Sequence, residues 1–411
     1  MNKNIKLAVA GAVLALSATA ANAGIIIPAG EWTIDIGGNV NTYATWTRAT
    51  GTKNTFGKSV LWGGTGSADV LGTGSDARTQ SNMTTGLLPN YLSVSGSTRQ
   101  NDLDVAFTIS INPGSSVTNA GGQAAKQENR QAFLTFGDKS WGSVLIGKNI
   151  GLFAQDAILN DMTLLGVGAG AGAVAGNTTT LGRIGTGFVY ADWKSQIAYT
   201  TPNMNGLQAT VGLTQAWDSQ DYTSSDLNTK GRAGAGFAYE GKASYSFSSN
   251  DVNGKVWVSG LAQRFNAVVS ATDREDRIAY AGDIGANINL AGFGLTGYYY
   301  NGQGLGQTLQ FMGAFDNTGK MRDSNGGYVQ ATYVLPTKTK LGLSWGQSTI
   351  ESTGSTDSLT KDVDDSMWAV GLYHPLTKHL NLVAEYTDVE SEHQSGKAKG
   401  RTGSLGAILF F

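Results

Sequence analysis

From Trp32 to Trp46 the chain alternates. Trp32, Ile34, Ile36, Val40, Thr42, Ala44 and Trp46 fall on one face of an extended backbone, and Thr33, Asp35, Asn39, Asn41 and Thr45 on the other. Alternation over this length predicts a strand with one apolar and one polar side. A tryptophan stands near each end of the apolar face, where a membrane-crossing strand meets the two headgroup layers.

The same period returns along the chain. Leu92 and Val94 alternate with Tyr91, Ser93 and Ser95, and a polar turn leads to Leu103, Val105, Phe107, Ile109 and Ile111. Ala132, Leu134 and Phe136 turn through Gly137 to Gly142 into Val144 and Ile146. Later pairs run through Ile197 and Val211, Tyr239 and Val258, Ile284 and Leu295, Val329 and Leu343, and Val370 and Leu382, ending at Leu405, Leu409 and Phe411. Long polar connections alternate with short turns, the layout of an outer-membrane barrel. The pattern predicts an all-β fold, a transmembrane antiparallel β-barrel of about sixteen strands; dividing the chain by that count leaves roughly two dozen residues per strand and connection, of which about 9 to 11 cross the membrane. Fourteen or eighteen strands also fit the division. A barrel of this size encloses an aqueous channel, whereas an eight-stranded one fills with side chains. A soluble β-sandwich, propeller or lectin would alternate too, but not with this regular rhythm of connections.

Composition narrows the choice. Glycine occupies 57 of 411 positions and proline 6, cysteine is absent, and charged residues make up 15%. Without cysteine there is no disulfide framework or thiolate metal site, so the fold must close itself by hydrogen bonds. The net charge of −2 excludes a broadly basic nucleic-acid binder. Lys3 and Lys6, an apolar run from Leu7 to Ala20 and then Ala21-Asn22-Ala23 read as a secretory signal peptide over residues 1–23. The barrel domain is then expected over 24–411. Beyond the leader no stretch reaches the roughly 20 apolar residues of a membrane helix, so a membrane form must be a closed barrel.

One connection stands apart. After Val144, Ile146 and Lys148 the period is lost through residues 149–162, followed by a Gly/Ala run over 166–176 and then Leu181-Gly182-Arg183-Ile184-Gly185. A loop this long, partly apolar and carrying spaced charges, is unusual as a mere connector. It is expected to fold into the bore over about 149–187 and narrow it.

These segments resemble the trimeric general porins of Gram-negative outer membranes. The likeness is carried by Arg130-Gln131-Ala132-Phe133-Leu134-Thr135-Phe136-Gly137, by Trp141-Gly142-Ser143-Val144-Leu145-Ile146-Gly147-Lys148-Asn149, by Asp156-Ala157 and Asp161-Met162, and by Gly182-Arg183-Ile184-Gly185. Ile197 to Pro202 with Gly206, Tyr373 to Tyr386 and the final Phe411 extend it over nearly the whole chain. The resemblance implies a homotrimer in the outer membrane, among lipid and lipopolysaccharide, passing small hydrophilic solutes and ions down their gradients. It also implies a constriction with basic wall residues facing acidic loop residues: Lys148 and Arg183 against Asp156 and Asp161, with the lumen-facing Tyr91 where a further wall arginine is common. Leu164 to Gly176 replaces the acidic loop tip, so selectivity does not carry over.

Other chemistry is thinner. Gly342-Leu343-Ser344-Trp345-Gly346 fits the G-x-S-x-G nucleophile elbow, but it lies in an alternating strand and abundant glycine makes chance matches common. His374, His379 and His393 lack a zinc spacing on a helix, and no cofactor is expected. Asp362, Asp364, Asp365, Glu390 and Glu392 read as charges on long loops, a solvated surface in the first instance, with outer-leaflet lipid A bridged by divalent cations as the alternative. Two rival functions remain at this point. One is a ligand-binding or host-binding β protein that grips through residues 48–89 and 301–325. The other is an outer-membrane hydrolase built on Ser344.

Overall fold

The C-terminus closes a ring. Phe411 N–H donates to the Gly38 carbonyl at 3.0 Å, and its own carbonyl accepts from Gly38 N–H at 2.8 Å. The computed structural model describes residues 24–51, 79–115, 127–169, 178–220, 231–234, 236–249, 251–270, 273–354, 357, 359–393 and 396–411. The leader over 1–23, most of the 48–89 connection and most of the Gly/Ala run lie outside the described residues.

The strands are β1 (Ile25–Ala29), β2 (Trp32–Gly51), β3 (Thr79–Thr84), β4 (Tyr91–Gln100), β5 (Leu103–Pro113), β6 (Gln127–Asp138) and β7 (Gly142–Ile150). A helical turn α1 (Gln155–Leu159) and a 3-10 turn (Met162–Leu165) follow. Next come β8 (Trp193–Thr200), β9 (Leu207–Thr214), β10 (Gly231–Ala233), β11 (Ala238–Ser249), β12 (Val252–Val268) and β13 (Arg274–Leu290). The chain ends with β14 (Phe293–Gln303), β15 (Asp323–Val334), β16 (Lys340–Ile350), β17 (Val363–Pro375), β18 (Leu380–His393) and β19 (Gly396–Phe410).

All pairings between these described strands are antiparallel, and β19 returns to β2. Three pairs of segments are collinear. β1 and β19 share one edge of β2, β3 and β4 the other, and β10 and β11 both lie along β12. The nineteen segments therefore make sixteen staves. Closure leaves no unpaired edge, which is what permits a sheet to cross lipid.

Alternation sets the two faces. Val40, Ile109, Ile197, Val211, Ile284 and Val329 point outward and are exposed, while their sequence neighbours Asn39, Ser110, Gln196, Thr210, Asp283 and Tyr328 point inward and are buried. Aromatic pairs gather near the short turns: Phe293 and Tyr333 have ring centroids 4.4 Å apart, and Phe136 and Trp141 6.4 Å. The turns are as tight as the pattern allows. Asn101 and Asp102 both have positive φ, 46° and 63°, as a two-residue hairpin loop requires.

Two expectations about connections are corrected. Asp364, Asp365, Glu390 and Glu392 are on the ends of β17 and β18, not in loops. Lys397 pairs with both glutamates and Lys399 with Glu390, so the two glutamates are largely neutralised across strands. The connection within 301–325, read as an external grip, instead folds inward over 304–322: Leu305, Phe311 and Phe315 are buried with inward-facing Phe265 and Tyr300, and Met312 with Ile350, Leu359 and Val363.

Candidate functional site

At Ile150 the chain leaves the wall because its alternation ends. Gly151 makes the departure possible: a Cβ there would lie 2.4 Å from the Ala191 carbonyl, and Gly151 N–H donates to Asp192 O at 2.7 Å. The loop enters and returns through this neck, so its described residues, 152–169 and 178–191, sit within the barrel. Without a sheet partner its backbone groups need other acceptors and donors.

Inward-facing wall side chains supply them. Glu240 Oε2 accepts from Leu152 N at 2.7 Å and Phe153 N at 2.9 Å. Asp283 Oδ2 accepts from Ala154 N at 3.1 Å, and Gln330 Oε1 from Met162 N at 2.7 Å. Glu385 Oε2 accepts from Val167 N at 2.7 Å and Gly168 N at 3.0 Å. Tyr328 and Tyr43 donate from their hydroxyls to the carbonyls of Ala157 and Leu165 at 2.8 and 2.7 Å. The loop is stapled to β2, β11, β13, β15 and β18, and it occludes by being fixed.

Its charges are arranged differently from the expected facing pairs. Asp156 is 3% exposed and pairs with two wall lysines, Lys242 at 3.2 Å and Lys255. Burial alone would raise its carboxyl, but the two ammonium groups outweigh that and hold it below the ordinary carboxylate range. Asp161 caps the 3-10 turn, accepting from Thr163 N at 3.0 Å and from Arg183 N at 3.2 Å. Burial pushes its carboxyl up, against the pull of the Arg183 charge.

Arg183 itself is 0% exposed. Its guanidinium donates to the carbonyls of Thr186 and Met367 and lies 5.7 Å from the centre of the Tyr328 ring. The structure thus joins Asp161 and Arg183, but as a buried brace behind the loop and not as a charged rim. Lys148 is also displaced from the expected place. It shares the parity of Val144 and Ile146 on the outer face, and its Nζ donates to Asn129 O at 2.8 Å. Tyr91 does face inward, half-buried opposite Asn39.

What the loop leaves half-exposed includes Leu159, Asn160, Leu165 and Leu181; Leu88, between β3 and β4, and Leu181 both pack against the same two apolar clusters. The inner wall of β4 to β6 offers Ser93, Ser95 and Thr135, also half-exposed.

The G-x-S-x-G pentapeptide is part of this docking surface. Ser344 is buried in the middle of β16 and faces the loop, not a strand-to-helix turn. A Cβ on Gly342 would lie 2.4 Å from Met162 Sδ, and one on Gly346 2.6 Å from the Thr186 carbonyl and 2.9 Å from Arg183. Gly346→Ala is accordingly expected to destabilise the loop-docked barrel by about 1–3 kcal/mol through overpacking. Heat-dependent gel mobility checks it, with Gly297→Ala, where a Cβ meets nothing within 4 Å, as the unaffected control.

A closed sixteen-stave barrel with inward-folded loops fixed in its bore is the architecture of a channel for water and small solutes. The family model of the Gram-negative porins matches residues 8–394. The chain belongs to the Gram-negative porins. Solved structures agree on the fold at low identity. The outer membrane channel DcaP of Acinetobacter baumannii is 16% identical, covers 95% of this chain and 100% of its own, and gives a TM-score of 0.68. The anion-selective porin from Comamonas acidovorans is 15% identical over 93% of this chain and 100% of its own, at 0.61. Salmonella typhi OmpF, solved with daunomycin, is 13% identical over 94% and 100%, at 0.56. No curated protein sequence matches significantly. This porin is an outer-membrane channel for passive diffusion of small hydrophilic solutes and ions.

Sequence reasoning missed the residues that hold the porin's loop. Glu240, Asp283 and Glu385 each interrupt an alternating strand at its inward position, next to outward Tyr239, Ile284 and Tyr386. Arg130 stood inside a quoted motif, yet its work was not read: it is 6% exposed, bonds Glu128 at 2.9 Å and Thr178 at 3.4 Å, and lies 5.8 Å from the Trp193 ring. For the three carboxylates a charge on the polar side of a strand was the available signal; Arg130 continues the outward phase of Ala132 and Leu134 and is buried where the register with β5 shifts between Ser110 and Asn112.

Proposed function

We propose that this porin sieves solutes through the water-filled space left beside the loop at about 149–187, as a homotrimer in a lipopolysaccharide-bearing outer membrane, after a leader over 1–23 is removed. The observation that carries the sieving is the stapling of loop backbone to wall carboxylates, which keeps the aperture at one width. In this reading Asp161 and Arg183 act from behind, by fixing the loop's shape, and Tyr91 borders the passage. Asp156 acts through its two lysines. Those lysines outnumber it, so the passage leans toward anions; the relative from Comamonas acidovorans is described as anion-selective.

Conductance of the purified, refolded protein in a planar bilayer under a salt gradient tests this. Stepwise openings in threes are expected. Lys148→Glu is expected to leave the reversal potential unchanged, because its side chain is on the outer face. A protein that inserts and stays electrically silent overturns the diffusion channel.

A further inference from the structure

We propose that residues 304–322 form a second inward loop, which sets the solute size limit from the outer side of the barrel and is held shut by the Arg322–Asp357 ion pair. This deepens the diffusion-channel reading and rests on it.

The segment is built to coil. Gly304, Gly306, Gly313 and Gly319 have positive φ, as do Thr308 and Phe311 at 66° and 67°, so the chain reverses repeatedly in a short span. Its neck is closed by Gly304 N donating to Arg322 O at 2.8 Å. A polar external loop would leave its apolar residues few and wet. Here Phe311 and Phe315 meet Phe265 edge-on, with centroids 4.9 and 5.2 Å apart, and Leu305 is fully buried. Burying three such side chains contributes on the order of several kcal/mol toward the folded-in position.

The loop also bonds to what lies under and beside it. Tyr190 N donates to Thr308 O at 2.9 Å and Gln310 Nε2 to Ala191 O at 3.4 Å, which ties it to the neck of the constriction loop. Gln307 Nε2 donates to the Ser348 carbonyl on the wall at 2.8 Å. Two stacked loops therefore occupy the bore, and a solute entering from the long-loop side meets 304–322 first.

The latch joins this loop to the next connection. Arg322 forms a fork with both Asp357 oxygens, Nε to Oδ2 at 2.8 Å, while its third nitrogen donates to the carbonyls of Gly313 and Phe315 at 2.7 and 2.8 Å. Asp357 in turn accepts from Thr353 N and Leu359 N at 3.0 and 3.1 Å. Both partners are almost wholly buried, at 2% and 0%. Removing one partner of such a pair takes the bidentate counter-charge away from the other at a buried site, so the loop is expected to open toward water.

The test uses the full-length protein in planar bilayers and in liposomes swollen by sugars of increasing size. One variant replaces residues 306–318 by a short Gly-Ser turn, and a second, Asp357→Ala, leaves the chain length intact. Both are expected to raise single-channel conductance, the first by about twofold, and to admit larger sugars. If the shortened chain fails to refold, Asp357→Ala decides by the same two readouts. Unchanged conductance and an unchanged sugar limit in a correctly folded variant overturn the proposal. A silent wild type would instead overturn the channel reading beneath it.

Discussion

Replacing Glu240 by alanine is expected to free the entrance of the constriction loop and to cost about 3–5 kcal/mol, because it leaves a buried ammonium without its partner. Lys194 and Glu240 are each 0% exposed and 2.5 Å apart, and the same carboxylate accepts from Thr214 Oγ1 and from the backbone of Leu152 and Phe153. The substitution therefore removes three kinds of partner at once: the counter-charge, a hydroxyl's acceptor and the acceptor for two loop N–H groups. Unfolding in urea from detergent micelles measures the loss, and current traces should show a noisier, wider open state. The double variant Lys194→Met with Glu240→Leu keeps volume while removing both charges, so it should recover much of the stability but not the loop's N–H acceptor. A Glu240→Ala protein with the wild-type midpoint and quiet openings would show that the staple does not hold the loop.

The barrel was legible because its determinants are local. Alternation from Trp32 to Trp46 and a two-residue turn at Asn101-Asp102 each dictate geometry within a few residues. Alternation was also sufficient to place Lys148, which continues the outward phase of Val144 and Ile146; the porin likeness pointed it the other way, and the phase was right. The loop's chemistry was not legible for the opposite reason. Arg183 is hidden by Tyr328, Met367 and Gly346, residues far away in sequence that no local pattern connects to it. The 304–322 connection lies between these cases. Leu305, Phe311 and Phe315 are too many large apolar groups for a loop in water, and that excess was visible, but which wall residues they would meet was not.

Lys255→Glu carries the largest expected change in ion selectivity. Lys242 and Lys255 share the carboxylate of Asp156, and the other acid near Lys242, Asp283, is buried with its carboxylate on Ala154 N and Ser259, so the exposed edge of the cluster is the two lysines: Lys242 is 19% and Lys255 30% exposed, against 3% for Asp156. Lys255 also sits beside a polar strip in which Asn289 donates to Asn287 and Asn287 to Thr296 at 2.7 and 2.8 Å, groups that stabilise a hydrated ion without fixing its sign. The sign then comes from the exposed lysines, acting in a narrow passage with low-dielectric walls. Reversing the Lys255 charge sets two acids against Lys242, and the reversal potential under a salt gradient should move to the cation side. Lys255→Gln should move it part of the way. The shift should shrink with added salt, since the screening length falls from about 10 Å at 0.1 M to about 3 Å at 1 M. A change that persisted undiminished at high salt would point to altered loop geometry, because Asp156 would have lost a partner and moved. An unaltered potential in Lys255→Glu would mean that ions pass out of reach of this cluster, along the hydroxyl-lined wall of β4 to β6.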